Sequence, residues 1–155
     1  GSPAAAKAIA GEFLPDGTVF GYVEGRDGER VQLTVDPNDD RLSLDDLLIA
    51  VLVNEHTSRE AETLAAALQD SGRATLFGKT TFGDASAYEF VELSDGSAMY
   101  LPVSRRYTPL GKLLTKSGVT PDVEVQSVTE EDGFGGESQF NRAYEFLDKQ
   151  LPPFR

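Results

Sequence analysis

The chain has 155 residues, which is enough for about one domain, so we expect a single core. Fourteen basic residues against 26 acidic ones give a formal charge of -12, which repels nucleic-acid phosphates and anionic membrane surfaces. The absence of cysteine excludes disulfides within the chain, a thiolate nucleophile and thiolate metal ligands. No apolar run approaches the roughly 20 residues that cross a bilayer. We therefore expect neither nucleic-acid binding nor membrane insertion.

The N-terminal part predicts a helix followed by a hairpin. Gly1-Ser2 is typical of an expression scar. Pro3–Phe13 carries Ala, Ile and Phe at helical spacing and is followed by a Pro-Asp-Gly turn. Residues 18–24 and 30–35 have strand composition and flank Gly-Arg-Asp-Gly, whose Asp-Gly pair is a hairpin signal. We expect the helix to pack on a sheet and the hairpin to be peripheral.

Residues 36–46 form an acidic segment that also contains Pro37 and Asn38, which predicts a solvated loop. Calcium binding is the alternative interpretation, because several aspartates lie close together. The segment lacks the central Gly and the terminal Glu of an EF-hand loop. We therefore assign its charge to solubility.

The middle of the chain predicts a strand, a loop and a helix in succession. Residues 47–53 form an unbroken apolar run, typical of a strand buried on both faces, and residues 59–70 repeat Ala and Leu at helical period. This arrangement aims a nucleophile at a substrate in many enzymes. Here a charged residue, Arg59, stands where the nucleophile is expected.

The rest of the chain predicts a mixed sheet and a terminal helix. An Asp-Gly turn joins the last two strands. An acidic, Gly-rich linker precedes the helix. The predicted segments are strands at 74–78, 87–93 and 97–103, an irregular stretch at 108–118, an extended segment at 119–125, the linker at 129–136 and the helix at 137–151.

Four separate blocks of the sequence resemble the C-terminal processing, or tail-specific, serine peptidases. The blocks match in order and with near-constant spacing, which makes the resemblance specific, and it runs from about residue 3 to the end. They are FLPDGTV at 13–19, LVNEHTSREAETLAAALQDSGRATLFGKTTFG at 52–83, LSDGSAMYLPVSRRYTPLGK at 93–112 and GVTPDVEV at 118–125.

The resemblance implies an α/β, crotonase-like core with a mixed sheet flanked by helices. It also implies a Ser-Lys dyad supported by Gln and extracytoplasmic, that is periplasmic or secreted, substrates. Members usually carry an inserted PDZ domain, which we do not expect in this chain. We divide the chain into a scar at 1–2, a partial peptidase core at 3–128, and an acidic linker with a terminal helix at 129–155.

The family's catalytic residues are all replaced in this chain. Its nucleophile loop, N-E-G-S-A-S-A-S-E, laid over residues 54–62, puts His56 at the Gly and Arg59 at the nucleophile. Its T-F-G-K-G-x-x-Q block puts Asp84 at the Lys and Tyr88 at the Gln. A guanidinium has no lone pair for attack, and a carboxylate beside it cannot replace a neutral amine as the base. We therefore expect no catalytic residue here, and changes at His56 and Ala85 as well indicate inherited loss.

Arg59 and Asp84 take the places of two residues that lie within hydrogen-bond reach in the family. We therefore expect them to form an ion pair in the former active site, joined by the Tyr88 hydroxyl. The alternative is that the two side chains are unrelated and solvated.

Other catalytic devices are less well supported by the sequence. His56 and Ser58 could form a Ser-His-Asp device, but residues two apart on a short loop seldom face each other. Ser58 with Lys79 would be a shifted Ser-Lys pair, which requires unequal slips from the family register. One His and scattered carboxylates give no metal-ligand spacing, the glycines at 78–83 and 133–136 lack a phosphate-binding pattern, and no cofactor is expected.

The family builds part of its oxyanion hole from a Gly-rich turn that precedes the first helix, and we expect the hole to be incomplete in this chain. The missing strand would leave an open sheet edge, so we also expect self-association. Overall the sequence predicts a binding or scaffolding domain that takes a peptide or protein ligand without cleaving it. The alternative is an active serine endopeptidase completed by segments outside this chain.

Overall fold

The computed structural model describes residues 2–37, 44, 47–125 and 139–151. These residues contain three helices and eight strands. The predicted linker at 129–136 and most of the acidic segment at 36–46 lie outside these residues. The elements are α1 (Pro3–Phe13), β1 (Val19–Glu24), β2 (Arg30–Thr34), β3 (Ala50–Val53), α2 (Glu60–Asp70), β4 (Thr75–Gly78), β5 (Tyr88–Glu92), β6 (Ala98–Pro102), β7 (Arg105–Tyr107), β8 (Val123–Glu124) and α3 (Gln139–Gln150).

The N-terminal helix and hairpin form as predicted, but the hairpin is not peripheral. Pro3 begins α1, and the Ser2 side chain accepts a hydrogen bond from the backbone N–H of Ala5 at 3.1 Å, as an N-cap does. β1 is the middle strand of an antiparallel sheet of order β2-β1-β7. Its Phe20 is buried against Leu14 and the α2 residue Ala67. The prediction of a peripheral hairpin was wrong because β7 covers the second edge of β1.

A second sheet is parallel and carries the strand-loop-helix unit. Its order is β3-β4-β8, and α2 connects β3 to β4. The core here contains Val53, Leu76 and the α2 residues Ala65 and Ala66. The expectation of a β3 buried on both faces was wrong: among the described residues β3 is the outermost strand, and Leu52 is 44% exposed.

The β5–β6 hairpin forms a third, two-stranded antiparallel sheet around the predicted Asp-Gly turn. The Asp95 carboxylate accepts from the backbone N–H of Ser97 at 2.9 Å and from its hydroxyl at 2.6 Å, which closes the turn. The prediction of one mixed sheet was therefore wrong, because each described sheet is wholly parallel or wholly antiparallel.

The C-terminal part follows the predicted order. Residues 108–118 contain no helix or strand, as predicted, and β8 lies in the expected extended segment. The terminal helix α3 packs on β3 and β4, where Phe146 meets Phe77 with 5.2 Å between ring centroids. Gln139 of α3 donates to the backbone carbonyl of Val53 at 3.2 Å, at the end of β3.

Candidate active site

Arg59 occupies a strained turn between strand and helix. It is the N-cap residue of α2, a few residues after β3 ends, and its backbone has φ 57° and ψ -122°. Positive φ is uncommon outside glycine, and in the described part of the chain only Arg59 and Lys116 show it among the other residue types. Such strain at a sharp strand-to-helix turn is how α/β hydrolases expose a nucleophile. The local geometry is that of a nucleophile turn, with a guanidinium on it.

The buried carboxylate of Glu62 holds this turn against the loop at 81–84. Glu62 is 0% exposed. One of its oxygens accepts from the Thr81 hydroxyl and from the Gly83 N–H at 2.6 Å, and the other accepts from the N–H groups of Arg59 at 3.1 Å and Asp84 at 3.0 Å. Four donors from two segments therefore converge on one side chain, which fixes the turn and the loop relative to each other.

The loop at 81–84 is also tied to both of its neighbours by backbone hydrogen bonds. The Asp84 carbonyl accepts from the Arg59 N–H at 2.9 Å, and the Gly83 carbonyl accepts from the Lys116 N–H at 2.6 Å. Thr81 exchanges hydrogen bonds with Val119 on the same side. The two non-glycine residues with positive φ thus lie on either side of one loop.

Arg59, Asp84 and Tyr88 are brought together, but not by the expected ion pair. No contact of 4.0 Å or less joins the Arg59 guanidinium to the Asp84 carboxylate, and both residues are described. The Tyr88 hydroxyl instead donates to both Asp84 oxygens at 3.1 Å, and the guanidinium carbon lies 5.5 Å from the centre of the Tyr88 ring. A direct ion pair was therefore the wrong prediction: Tyr88 contacts both groups, through its hydroxyl and through a cation–π contact.

The surroundings of Tyr88 keep its hydroxyl protonated. Burial is the first cause that raises the pKa of Tyr88 above its usual value, and the hydrogen bond to Asp84 is the second. The ring also stacks on Tyr100, with centroids 4.7 Å apart and planes 6° apart. Tyr88 therefore acts as a fixed hydrogen-bond donor beside Asp84.

Asp84 and Tyr88 line a cleft of about 820 Å³, which we call the site cleft. It lies between the β1–β2 turn, the loop at 82–84, the residues after β6 and the segment at 115–116, and Arg59 is not among the residues that line it. Its volume is in the range of ligand pockets. The lining residues used below are Glu24, Arg26, Phe82, Arg105 and Lys116, and its hydroxyl groups belong to Ser86, Ser104, Thr115 and Tyr88.

The alternative catalytic residues do not form a device. Lys79 pairs with Glu55 at 3.3 Å, and the backbone N–H of His56 donates to Asn54 at 3.0 Å. Among the residues described, no Ser or Thr hydroxyl is hydrogen-bonded to a Lys amine or to the His56 ring. The structure therefore does not bring Ser58 together with either Lys79 or His56.

The described residues provide neither a group of metal ligands nor a membrane-spanning helix. Within the described ranges, no three His, Asp or Glu side chains are grouped closely enough to hold a metal ion. The described helices include none that is long and apolar enough to cross a membrane.

Sequence reasoning missed two parts of this site. Glu62 was placed only as the last residue of the nucleophile-loop block, although Glu at the third helical position is a signal for hydrogen bonding back to the helix start. That signal was weak because the N-cap is Arg rather than Ser or Thr. Lys116 was missed because nothing in a Thr-Lys-Ser-Gly string indicates a left-handed backbone at the Lys.

Comparison with known proteins identifies the family. The model of Peptidase family S41 matches residues 1–125. A carboxyl-terminal-processing protease of Synechocystis is 36% identical over 118 residues, which is 76% of this chain and 26% of that protein. A chloroplastic C-terminal processing peptidase of Tetradesmus obliquus is 44% identical over 77 residues, which is 50% of this chain and 17% of that protein.

A solved structure agrees with these sequence matches. The photosystem II D1 C-terminal processing protease superposes with a TM-score of 0.69 at 34% identity, covering 81% of this chain and 32% of the other. The chain thus spans about a quarter of the length of the Synechocystis relative, 26%. The family model matches residues 1–125, which is most of the chain, and this shows that the chain belongs to peptidase family S41.

Proposed function

We propose that this domain is a tail-specific peptidase-like module with a crotonase-like core that binds a peptide or protein segment and does not cleave it. The observation that carries the proposal is the guanidinium of Arg59 on the strained turn that precedes α2. A serine at that turn could attack a carbonyl, whereas a guanidinium offers no lone pair. The loss of activity is thus a matter of side-chain chemistry on a retained backbone.

The groups around Arg59 support the same proposal. Asp84 is a carboxylate that accepts a hydrogen bond from the Tyr88 hydroxyl. Neither group is a neutral amine that could take a proton from a nucleophile, as the family's Lys does. Acyl transfer needs a nucleophile and a base within hydrogen-bond reach of each other. In the described part of the chain no Ser or Thr hydroxyl is hydrogen-bonded to a Lys amine or to the His56 ring.

The site cleft supports a binding role. It has about 820 Å³ of space, an exposed aromatic ring at Phe82 and several hydroxyl groups, which suits a peptide segment better than a small enclosed metabolite. Binding of an extended peptide along strands needs backbone hydrogen bonds and no nucleophile. An extracytoplasmic location is part of the proposal, supported by relatives that are named as chloroplastic processing peptidases.

Peptidase activity of the protein tests the proposal. Incubation with unfolded protein substrates, beside an active processing protease as positive control, is expected to give no new fragments by mass spectrometry. A serine-reactive fluorophosphonate probe is expected to leave the intact mass unchanged. Turnover that Ser58→Ala abolishes would overturn the proposal and favour the alternative, an active endopeptidase completed by segments outside this chain.

A further inference from the structure

We propose that the site cleft selects peptides with acidic side chains, and that Lys116, Arg26 and Arg105 recognise the acidic groups. This inference rests on the proposed peptide-binding function and names its ligand class. It starts from a contrast in charge: the chain carries -12 overall, yet three cations and only two carboxylates line this cleft.

Both carboxylates of the cleft are already occupied. Glu24 accepts from Arg30 at 2.9 Å and from the Tyr107 hydroxyl at 2.9 Å, and these contacts lower the pKa of Glu24. Asp84 accepts from the Tyr88 hydroxyl. Since neither carboxylate needs a further partner, they leave the cations of the cleft available to a ligand.

The three cations are weakly paired or unpaired. Arg105 contacts Glu24 only at 3.7 Å, and its side chain is 66% exposed. Within the described ranges, no carboxylate lies within 4.0 Å of the Arg26 or Lys116 side chain. A cation that no described carboxylate contacts is available to an incoming anion.

The backbone fixes the position of Lys116 at the cleft. Its φ is 73°, a costly conformation for a residue with a side chain, and its N–H donates to the Gly83 carbonyl at 2.6 Å. Strain of this kind persists where the surrounding structure enforces it and clusters at functional sites. The Lys116 side chain is exposed. The backbone of the residue is therefore fixed, while its amine is open to the cleft.

An apolar surface lies beside these cations. Phe82 lines the cleft and is 64% exposed, and Pro102 and Val103 line it as well. A ligand that satisfies both features has carboxylates for the cations and an apolar or aromatic side chain for Phe82. The cleft therefore fits an acidic peptide segment that contains an aromatic residue.

Peptide binding measured by fluorescence anisotropy tests this inference. The probes are a fluorescein-labelled peptide of alternating Glu and Ala with one Phe, and the same peptide with Gln in place of every Glu. We expect the Glu peptide to bind more tightly, by roughly fivefold for each cation engaged, and the difference to shrink as salt is added.

Two variants assign the effect to the cleft. Lys116→Asn removes the charge with a residue that tolerates positive φ, and Arg105→Gln removes the second cation. Each is expected to weaken binding of the Glu peptide and to leave the Gln peptide unchanged. Lys112→Gln is the matched control, because Lys112 is an exposed cation that lines a different cavity, and it is expected to change neither.

The outcomes separate this inference from the proposed function. Equal affinity of the unsubstituted protein for both peptides would overturn the inference and leave peptide binding intact. Binding of neither peptide would overturn both. An equal loss from Lys112→Gln would show that long-range charge, rather than the cleft, selects the peptide, and would overturn the inference too.

Discussion

The Glu62 side chain is the most connected group of the site. It is buried at 0% exposure and accepts from one hydroxyl and three backbone N–H groups. Buried donors that lose their acceptor cost more than the hydrogen bonds had contributed. The stability of the turn and the loop therefore depends on Glu62, a residue to which the sequence analysis assigned no catalytic role.

We expect Glu62→Ala to lower the free energy of unfolding by at least about 3 kcal/mol, since it leaves several buried donors without a partner. Urea denaturation followed by circular dichroism measures this. Glu89→Ala is the control, because Glu89 is exposed on β5, and it is expected to stay within about 0.5 kcal/mol. Equal midpoints for the two variants would contradict the role assigned to Glu62.

Tyr88 gives a pH-dependent prediction. Burial and the bond to Asp84 raise its pKa above the ordinary value of about 10, so its stabilising contribution is present below that pH and is lost as the pH rises through the raised pKa. The difference in tyrosinate absorbance between the unsubstituted protein and Tyr88→Phe isolates this ionisation among the five tyrosines. Asp84→Asn is expected to lower the pKa of Tyr88, because it removes the negative charge that helps to raise it. A Tyr88 that titrates at the ordinary value would contradict both the burial of Tyr88 and its hydrogen bond to Asp84.

At the scale of elements, the parallel pair β3–β4 depends on a close backbone approach at Gly78. A Cβ added there would lie 1.9 Å from the Val53 carbonyl oxygen, and φ is +132°. Both the space and the conformation thus require glycine. Since Gln139 of α3 also contacts this point, the glycine fixes the end of the sheet where the site begins.

Gly78→Ala is expected to destabilise the protein by about 3 kcal/mol or more, because the obstacle is backbone that cannot move away cheaply. Gly96→Ala is a matched control: it also has positive φ, +84°, but no atom lies within 4 Å of the added Cβ. It is expected to cost about 1 kcal/mol, the penalty of the left-handed backbone alone. Thermal unfolding of both variants measures the difference, and equal losses would refute the steric argument.

The elements also show how far the sequence alone predicts this fold. Helical periodicity and Asp-Gly turns are local signals, and they predicted α1, α2 and both hairpins. β7 was missed because it is three residues long and begins with two arginines. Arg106 is nevertheless buried, since it pairs at 3.0 Å with Glu60, which lies 46 positions earlier in the chain. Such a distant partner is invisible to local pattern.

In the site, too, the sequence predicted what depends on local motifs and not what depends on contacts between distant segments. The family blocks placed Arg59, Asp84 and Tyr88 in one region, and the structure brings them together. The way in which the three side chains contact one another was not predictable. Shifts of a few ångströms in side-chain position decide between a direct Arg59–Asp84 ion pair and separate contacts of each group with Tyr88. The cations of the site cleft come from distant segments, and only the fold brings them together.

At the scale of the whole molecule, β3 and the residues just before it expose apolar side chains, and β3 is the outer strand of the described parallel sheet. Leu47, Leu48 and Leu52 are 55%, 43% and 44% exposed. An exposed apolar edge strand is a template for pairing with another chain. The net charge of -12 opposes association of two copies, so salt should favour it by screening.

We therefore expect a monomer–dimer equilibrium that shifts toward the dimer as protein and salt concentration rise, measured by sedimentation velocity. Leu52→Lys is expected to shift it back to the monomer, because it adds a charge to the edge strand. Leu110→Lys serves as the control, since Leu110 is 70% exposed but lies away from β3, against the other cavity. A monomer at all concentrations would contradict the prediction.

The Glu62 network uses the backbone, not the side chain, of both Arg59 and Asp84. Tyr88 takes no part in it. The hydrogen bonds of Glu62 therefore do not depend on the side chains at these three positions, so the proposed loss of cleavage requires no change in this part of the scaffold.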